Sequence, residues 1–211
     1  MWQYVIAVVS SLVVLGGALP LYVGILRGER RLTGTAWIIC SATALVMAIA
    51  YCHTAPLAYV GPSICTFVNT LIAFACMTWA TRRGICSTAV FGMVITWIGL
   101  AVGGLALATF LSKMPSAAPY VLYSAMAFDA WIISGILRRL MREPDSKGAL
   151  ADAVCGSGYA VGMFGITEHS MATWALPIYM SFVSLVFISL VQWRRTYPLK
   201  GGSMPSEGDL S

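Results

Sequence analysis

Charged residues are scarce in this sequence. Asp, Glu, Lys and Arg make up only 10% of its 211 residues, against roughly 25% in an ordinary soluble domain. Hydrophobic residues make up 59%, and the mean hydropathy is +0.81. Apart from a short polar tail, no segment is polar enough to form a water-soluble domain. The composition therefore excludes a soluble enzyme or binding module and predicts an integral membrane protein.

Motifs for common enzyme chemistry are missing as well. The six cysteines form no Cys-x-x-Cys pair, and the chain has neither a His-Glu-x-x-His motif nor a Gly-Lys-Ser/Thr loop. Ser157 lies between two glycines, but it is predicted in the inner half of its helix, far from both histidines. The last apolar run contains no lysine, which excludes a retinal Schiff base there. We therefore expect no enzymatic activity and no bound cofactor.

The sequence contains instead a series of apolar runs, each about 20 residues long, the length that crosses a hydrocarbon core of about 30 Å. Lipid cannot satisfy free backbone groups, and the runs lack strand-like alternation, so each run is predicted as a helix. Pro115 and Pro119 support a true break between the fourth and fifth runs. The seven predicted spans are 4–26, 35–53, 59–81, 86–111, 119–139, 148–167 and 174–193.

The basic residues predict the orientation of these spans. Twelve of the thirteen Lys and Arg residues fall in the first, third and fifth loops and the tail, and only Lys113 falls on the other side. The positive-inside rule then places the N-terminus outside and the C-terminus in the cytoplasm, most simply at the cell (inner) membrane. This topology, with anionic inner-leaflet lipid, accounts for the net charge of +5. We therefore expect no nucleic-acid partner.

The first three and last three predicted helices match each other in order. Gly24–Arg27 and Gly135–Arg138 share the letters Gly-Ile-Leu-Arg at the ends of helices one and five. Such matches predict a bundle over 1–195 with repeats at 1–83 and 117–195, joined by linker helix 86–111, in a 3+1+3 arrangement. Residues 196–211 are predicted as a disordered cytoplasmic tail. Further matched pairs are Gly34 with Gly148, Cys40 with Cys155, His53 with His169 and Trp79 with Trp193.

One short segment resembles a known family. Leu19-Pro20-Leu21-Tyr22, followed by a basic loop and Gly34, resembles the Pro-Gln loop region of small 3+1+3 transporters, the group that includes the sugar-exporting SWEET proteins. Leu21 stands where that motif has Gln, and helix five lacks the corresponding proline. The helix count, orientation and Arg-Arg helix ends also resemble the seven-helix sensor domains that precede bacterial histidine kinases and diguanylate cyclases. In those proteins a signalling domain follows the last helix, whereas only 196–211 follows it here.

Asp129 is the most informative polar residue. It lies about ten residues, or about 15 Å, from the outer end of helix five, near the membrane midplane. A carboxylate there costs about 2.5–3.5 kcal/mol on insertion scales, so it should face the bundle interior, where it either binds a solute or proton or fixes helix packing. Four more residues are predicted at this depth and complete a candidate substrate site for a small polar or cationic solute. They are Asn69, Trp97, Tyr159 and Ser184, each of which is also compatible with simple helix packing.

Small and ionisable residues suggest further features. The glycines of helix six, Gly158, Gly162 and Gly165, and those of helix four, Gly92, Gly99 and Gly103, are spaced for close helix packing. Pro20, Pro62 and Pro177 are candidate kinks. At the outer surface, a divalent metal could bind to His53, Glu168 and His169, although polar helix ends beside water are also ordinary. Cys52 and Cys65 lie near that surface, where an oxidising compartment permits a disulfide.

The sequence therefore predicts an all-α integral membrane protein of seven transmembrane helices. The leading functional hypothesis is a small carrier or facilitator for a small polar solute, with Asp129 as the group that couples transport to protons. A receptor-like sensor that signals to a separate cytoplasmic partner is the first alternative, and a structural membrane subunit is the second. The expected partners are the lipid bilayer and the solute, and a homo-oligomer stays open.

Overall fold

The computed structural model describes residues 2–27, 34–83, 90–140, 146–168 and 170–196. Within these ranges the chain is helical apart from short turns and contains no strand, which confirms the all-helical prediction. A single turn of 3-10 helix, Pro115–Ala117, precedes the sixth helix. The helices are α1 (Trp2–Gly17), α2 (Leu19–Leu26), α3 (Gly34–Thr54), α4 (Leu57–Arg82), α5 (Val90–Lys113), α6 (Ala118–Leu140), α7 (Ser146–Met163) and α8 (Met171–Thr196).

The predicted spans follow these helices closely, with α1 and α2 forming the first span. The clearest difference is at the sixth span, which was predicted to reach 167, whereas α7 ends at Met163. Beyond it, the Ile166 N–H donates to the Met163 carbonyl at 3.1 Å in a tight turn. The Thr167 N–H donates to the Tyr59 hydroxyl at 3.2 Å rather than to the helix backbone. After Met163 the backbone therefore passes through a tight turn and then bonds to α4.

Five helical segments are long and apolar enough to cross a membrane, and they indicate an integral membrane protein. They are Trp2–Leu26, Tyr59–Arg82, Ile95–Lys113, Pro115–Arg138 and Met171–Trp193. α3 contains a shorter apolar segment, Ile38–Thr54. α7 is rich in Gly and Ala rather than in large apolar residues. Large apolar side chains such as Leu105 and Phe182 are exposed on the bundle surface, as expected where the solvent is lipid.

Six of the helices form a closed ring. α1 packs against α4 and α7, α3 packs against α4 and α6, and α8 packs against α6 and α7. The order around the ring is therefore α1, α4, α3, α6, α8, α7. α5 lies outside the ring, against α3 and α4. The starts of α1, α4 and α8 and the ends of α3 and α7 line one cavity, and we call this the N-terminal end of the bundle.

The contacts of the ring are symmetric. If α1, α3 and α4 are exchanged with α6, α7 and α8 in that order, every contact maps onto another contact. The α1–α4 contact becomes α6–α8, α3–α4 becomes α7–α8, and α1–α7 becomes α6–α3. Two similar three-helix units placed face to face would give this pattern, although the repeat itself stays a prediction.

Glycines allow α7 to approach α1 closely. A Cβ on Gly158 would lie 2.6 Å from Val14 Cγ2 and 2.9 Å from the Ser10 carbonyl oxygen, closer than real Cβ atoms come. Two glycines of α5 behave differently, because a Cβ on Gly99 or Gly103 would meet nothing within 4 Å in the described part of the chain. The close packing predicted from glycine spacing therefore occurs along α7, whereas these two positions of α5 are open.

Gly158→Ala is expected to destabilise the bundle by about 1–3 kcal/mol, because the new methyl group would force α1 and α7 apart. Gly103→Ala is the matched control, and it should be neutral or stabilising by up to about 1 kcal/mol, since Ala favours a helix over Gly. Thermal unfolding of both variants in detergent measures the difference. Equal melting temperatures for the two variants would show that the close approach of α1 and α7 is wrong.

Candidate functional site

Helix breaks and prolines inside helices leave backbone carbonyls without their usual hydrogen-bond donors. Pro20 follows the break between α1 and α2, and at that break the Ala18 N–H donates to the Leu15 carbonyl at 3.3 Å. The regular α-helical acceptor would have been the Val14 carbonyl, which is therefore free for other donors. Lipid offers no replacement, so a neighbouring helix has to supply the hydrogen bond.

Asn69 of α4 supplies it. Its Nδ2 donates to the Val14 carbonyl at 2.8 Å, and its Oδ1 accepts a hydrogen bond from the Tyr22 hydroxyl at 2.6 Å. The Cys155 thiol of α7 also donates to the Val14 carbonyl, at 3.3 Å. Asn69 is buried, with 7% of its surface exposed. One amide therefore connects α4 to α1 and α2 at the bend.

The same arrangement recurs at Pro177 inside α8. Pro177 has no N–H, so the Thr173 carbonyl four residues earlier loses its helical donor. The Tyr51 hydroxyl of α3 donates to this carbonyl at 2.7 Å. Both Tyr51 and Thr173 are fully buried. Tyr51 thus connects α3 to α8 through a group that the proline has freed.

Pro62 inside α4 forms a third junction. Its carbonyl accepts hydrogen bonds from the Thr66 hydroxyl at 3.0 Å and from the Tyr159 hydroxyl at 3.2 Å. The hydroxyls of Thr66 and Tyr159 are themselves 2.6 Å apart. Tyr159, on α7, is only 2% exposed. This cluster connects α4 to α7 one helical turn from Asn69.

A small cavity lies among these junctions. Its volume is about 10 Å³, which is roughly the space for one water molecule. Its polar side chains are the Gln3 amide and three tyrosine hydroxyls, and no charged side chain lines it in the described part of the chain. The lining residues are Gln3, Ala7, Tyr51, Tyr59, Pro62, Tyr159, Gly162, Gly165, Ile166 and Pro177.

Asp129 lies elsewhere in the bundle. Its Oδ2 accepts a hydrogen bond from the Tyr179 hydroxyl at 2.7 Å, which connects α6 to α8. The carboxyl group is partly buried. Neither Asp129 nor Tyr179 lines the cavity, and no described residue of α6 does so. The carboxylate and the cavity are therefore two separate features of the ring.

Only two of the five predicted site residues lie together. Asn69 and Tyr159 share the contact between α4 and α7, whereas Ser184 donates to the Ala153 carbonyl between α8 and α7. Trp97 is on α5 outside the ring, where its ring packs against Phe74 with centroids 5.0 Å apart. In this conformation the five residues do not form a common pocket.

The structure tests only some of the predictions made for the outer surface, a metal site and a disulfide. The described residues contain no group of three His, Cys, Asp or Glu side chains that could hold a metal. His169 lies outside those residues, so the metal site with His53 and Glu168 stays untested. Cys52 and Cys65 are both free thiols here, so the structure contains no bridge between them.

Tyr51, Tyr59 and Thr66 were not found by depth arithmetic along single helices. Thr66 had a signal in the sequence, because the segment from Pro62 to Asn69, PSICTFVN, aligns without a gap to PIYMSFVS, which begins at Pro177. The two segments also make the same hydrogen bond. Thr66 and Ser181 occupy equivalent positions, and each donates to the carbonyl of the proline four residues earlier, at 3.0 and 2.7 Å.

No protein-family model, curated protein or solved structure matches this chain. The function must therefore be argued from the cavity and its junctions. Uncharged hydroxyls, an amide and freed carbonyls can exchange hydrogen bonds with a neutral polar molecule or with water. They supply no strong acid, base or nucleophile for covalent chemistry.

Asn69→Leu is expected to destabilise the protein by about 1–3 kcal/mol, because the Val14 carbonyl loses its amide donor in a buried setting. Thr109→Val serves as control, since within the described residues the exposed Thr109 hydroxyl donates to the Leu105 carbonyl of its own helix and to no other helix. The melting temperature in detergent measures both. An Asn69→Leu variant as stable as Thr109→Val would mean that the amide is dispensable at the bend.

Proposed function

We propose that this protein is a small carrier or facilitator for a small, uncharged polar solute. The observation that carries the proposal is the position of the cavity. Suppose that α1–α4, with α1 and α2 counted as one span, and α6–α8 are two three-helix units joined by α5. The cavity then lies between these units. Gln3, Tyr51 and Tyr59 contribute from the first unit, and Tyr159 and Pro177 from the second. Transporters built from repeats bind their solutes at such interfaces.

Three observations support the 3+1+3 architecture with seven crossings. The ring contacts map onto each other when the units are exchanged, and α5 lies outside the ring, as a linker helix would. The Pro62 and Pro177 segments also align without a gap and make the same Ser/Thr-to-proline hydrogen bond. We therefore take α1 to α4 as the first unit and α6 to α8 as the second.

The charges support an orientation with the N-terminus outside. Arg27, Arg82, Arg83 and Arg138 are exposed at the ends of α2, α4 and α6, opposite the cavity. Lys113 is at the cavity end. Because basic residues accumulate on the cytoplasmic side, the cavity is assigned to the outer half of the bundle.

The lining of the cavity favours an uncharged solute over a cation. Asp129 is the carboxylate that could balance a cation at mid-membrane depth, yet it lies between α6 and α8. A cation in the cavity would have no counter-charge among the described lining residues, and burying an unpaired charge is costly. Neutral groups that donate and accept hydrogen bonds suit the tyrosines and Gln3.

Asp129 is assigned to proton coupling rather than to solute binding. Its partner Tyr179 is two residues from Pro177, the proline inside α8 that lines the cavity. Gain or loss of a proton at the carboxyl group would change the hydrogen bond that holds α8 beside this proline. The proton and the solute would then act on the same helix from opposite sides.

The test is exchange of radiolabelled solutes in proteoliposomes preloaded with the same unlabelled compound, using glycerol, glucose, urea and the cation choline. At least one neutral solute is expected to accumulate, and choline is not. Tyr159→Phe should slow the exchange, whereas Tyr120→Phe, an exposed tyrosine at the same end, should not. Exchange no faster than in empty liposomes for every compound would contradict transport and favour a sensor or a structural subunit.

Asp129→Asn gives a separate test of proton coupling with the solute that exchanges. Uptake driven by an inward proton gradient is expected to collapse in this variant, because the amide cannot release or bind a proton. Exchange at equal pH on both sides should persist. If uptake by Asp129→Asn still follows the proton gradient, the role assigned to Asp129 is wrong.

A further inference from the structure

A set of hydrogen bonds lies beside the cavity at the N-terminal end of the bundle. The Gln3 Nε2 donates to the Thr167 hydroxyl at 2.9 Å. The same Thr167 hydroxyl lies 3.1 Å from the Tyr59 hydroxyl, which also accepts the Thr167 N–H at 3.2 Å. Thr167 therefore makes three contacts with two other helices. We call Gln3, Tyr59 and Thr167 the terminal clasp.

The clasp lies between the cavity and water. Gln3 and Tyr59 line the cavity directly, whereas Thr167 is exposed in the turn between α7 and α8. The next residue, Glu168, is exposed and charged, and this places the turn at the aqueous surface. A path from water to the cavity past the turn between α7 and α8 therefore meets the clasp.

Every contact of the clasp crosses between the two units. Gln3 belongs to α1 and Tyr59 to α4, whereas Thr167 follows α7. A rocking motion of one unit against the other at this end would have to break these bonds. Motion within one unit would leave them intact.

The clasp is also suited to opening. Its bonds join neutral groups at a partly exposed site, where water can replace each partner, so each bond shifts an equilibrium by only about fivefold. The buried bond from Tyr51 to the Thr173 carbonyl, by contrast, satisfies a group that water cannot reach. The hydrogen bonds of the clasp are thus partly exposed, whereas the bond between Tyr51 and Thr173 is buried deeper in the bundle.

From this geometry we infer that the terminal clasp is the gate on the cavity side of the bundle and that the described conformation is closed there. The inference rests on the proposed function, because it assigns the step that admits solute to the cavity. Opening requires Thr167 to leave Gln3 and Tyr59 and to exchange their hydrogen bonds for bonds to water.

The test measures access to the cavity through a reporter cysteine, without any solute. Ala7, a small residue of the cavity lining, is changed to cysteine in a chain whose six native cysteines are replaced by serine. The protein is placed in lipid nanodiscs, which leave both faces accessible, and treated with a membrane-impermeant maleimide. Thr167→Val and Tyr59→Phe each remove two of the three contacts of the clasp. Each should therefore raise the labelling rate of Ala7→Cys by about 5- to 25-fold, at about fivefold for each net hydrogen bond lost.

Two controls separate gate opening from a loosened fold. Thr167→Ser keeps the hydroxyl and should label as slowly as the parent. Tyr120→Phe removes a tyrosine hydroxyl at the same end, 74% exposed and without a hydrogen bond in the described part of the chain, and it should also leave the rate unchanged. Labelling of Thr167→Val and Tyr59→Phe at the parent rate would overturn the gate. So would an equal increase in Thr167→Ser.

The result is independent of the solute exchange assay. If the clasp variants raise the labelling rate but no compound exchanges, the gate is supported and the transport function is contradicted. If a solute exchanges but the clasp variants label at the parent rate, the transport function is supported and the clasp is not the gate.

Discussion

The structure depends on how backbone carbonyls that lack a helical donor, at a helix break or four residues before a proline, are satisfied where no water is present. At the α1–α2 break the Val14 carbonyl is bonded by Asn69, and above Pro177 the Thr173 carbonyl is bonded by Tyr51. Each donor lies on another helix than the carbonyl it bonds, so each of these carbonyls connects two helices. A membrane bundle has little hydrophobic force between its helices, and such hydrogen bonds with close packing hold it together.

Small residues provide the second half of this arrangement. α7 can pass close to α1 because Gly158 leaves room for Val14 and for the Ser10 carbonyl. This approach brings Cys155 and Tyr159 within hydrogen-bond distance of α1 and α4. The helix with the least apolar composition is thus placed where its polar side chains find partners. Its position at the interface of the two proposed units explains why the cavity forms beside it.

The apolar runs predicted the helices well, because the need to bury backbone groups in lipid determines both length and composition. The lost helical donor at Pro177 could also be predicted, since proline cannot donate a hydrogen bond, whereas kinks at Pro20, Pro62 and Pro177 stay a prediction. Depth along a helix, however, does not give the direction of a side chain. Trp97 and Tyr159 have similar predicted depths, yet one packs outside the ring and the other lines the cavity. Tyr51 acquires its role only through Pro177, more than a hundred residues away, and no local pattern contains that pairing.

The most direct test of this account is a double-mutant cycle between Tyr51 and Pro177. Tyr51→Phe should cost about 1–3 kcal/mol in the parent protein, because the Thr173 carbonyl is left buried without a donor. In a Pro177→Ala background the alanine N–H can donate to that carbonyl, so the cost of Tyr51→Phe should fall by about 1 kcal/mol or more. Chemical or thermal unfolding in detergent measures the four stabilities. An equal cost in both backgrounds would contradict the claim that side chains of neighbouring helices satisfy the carbonyls that prolines free.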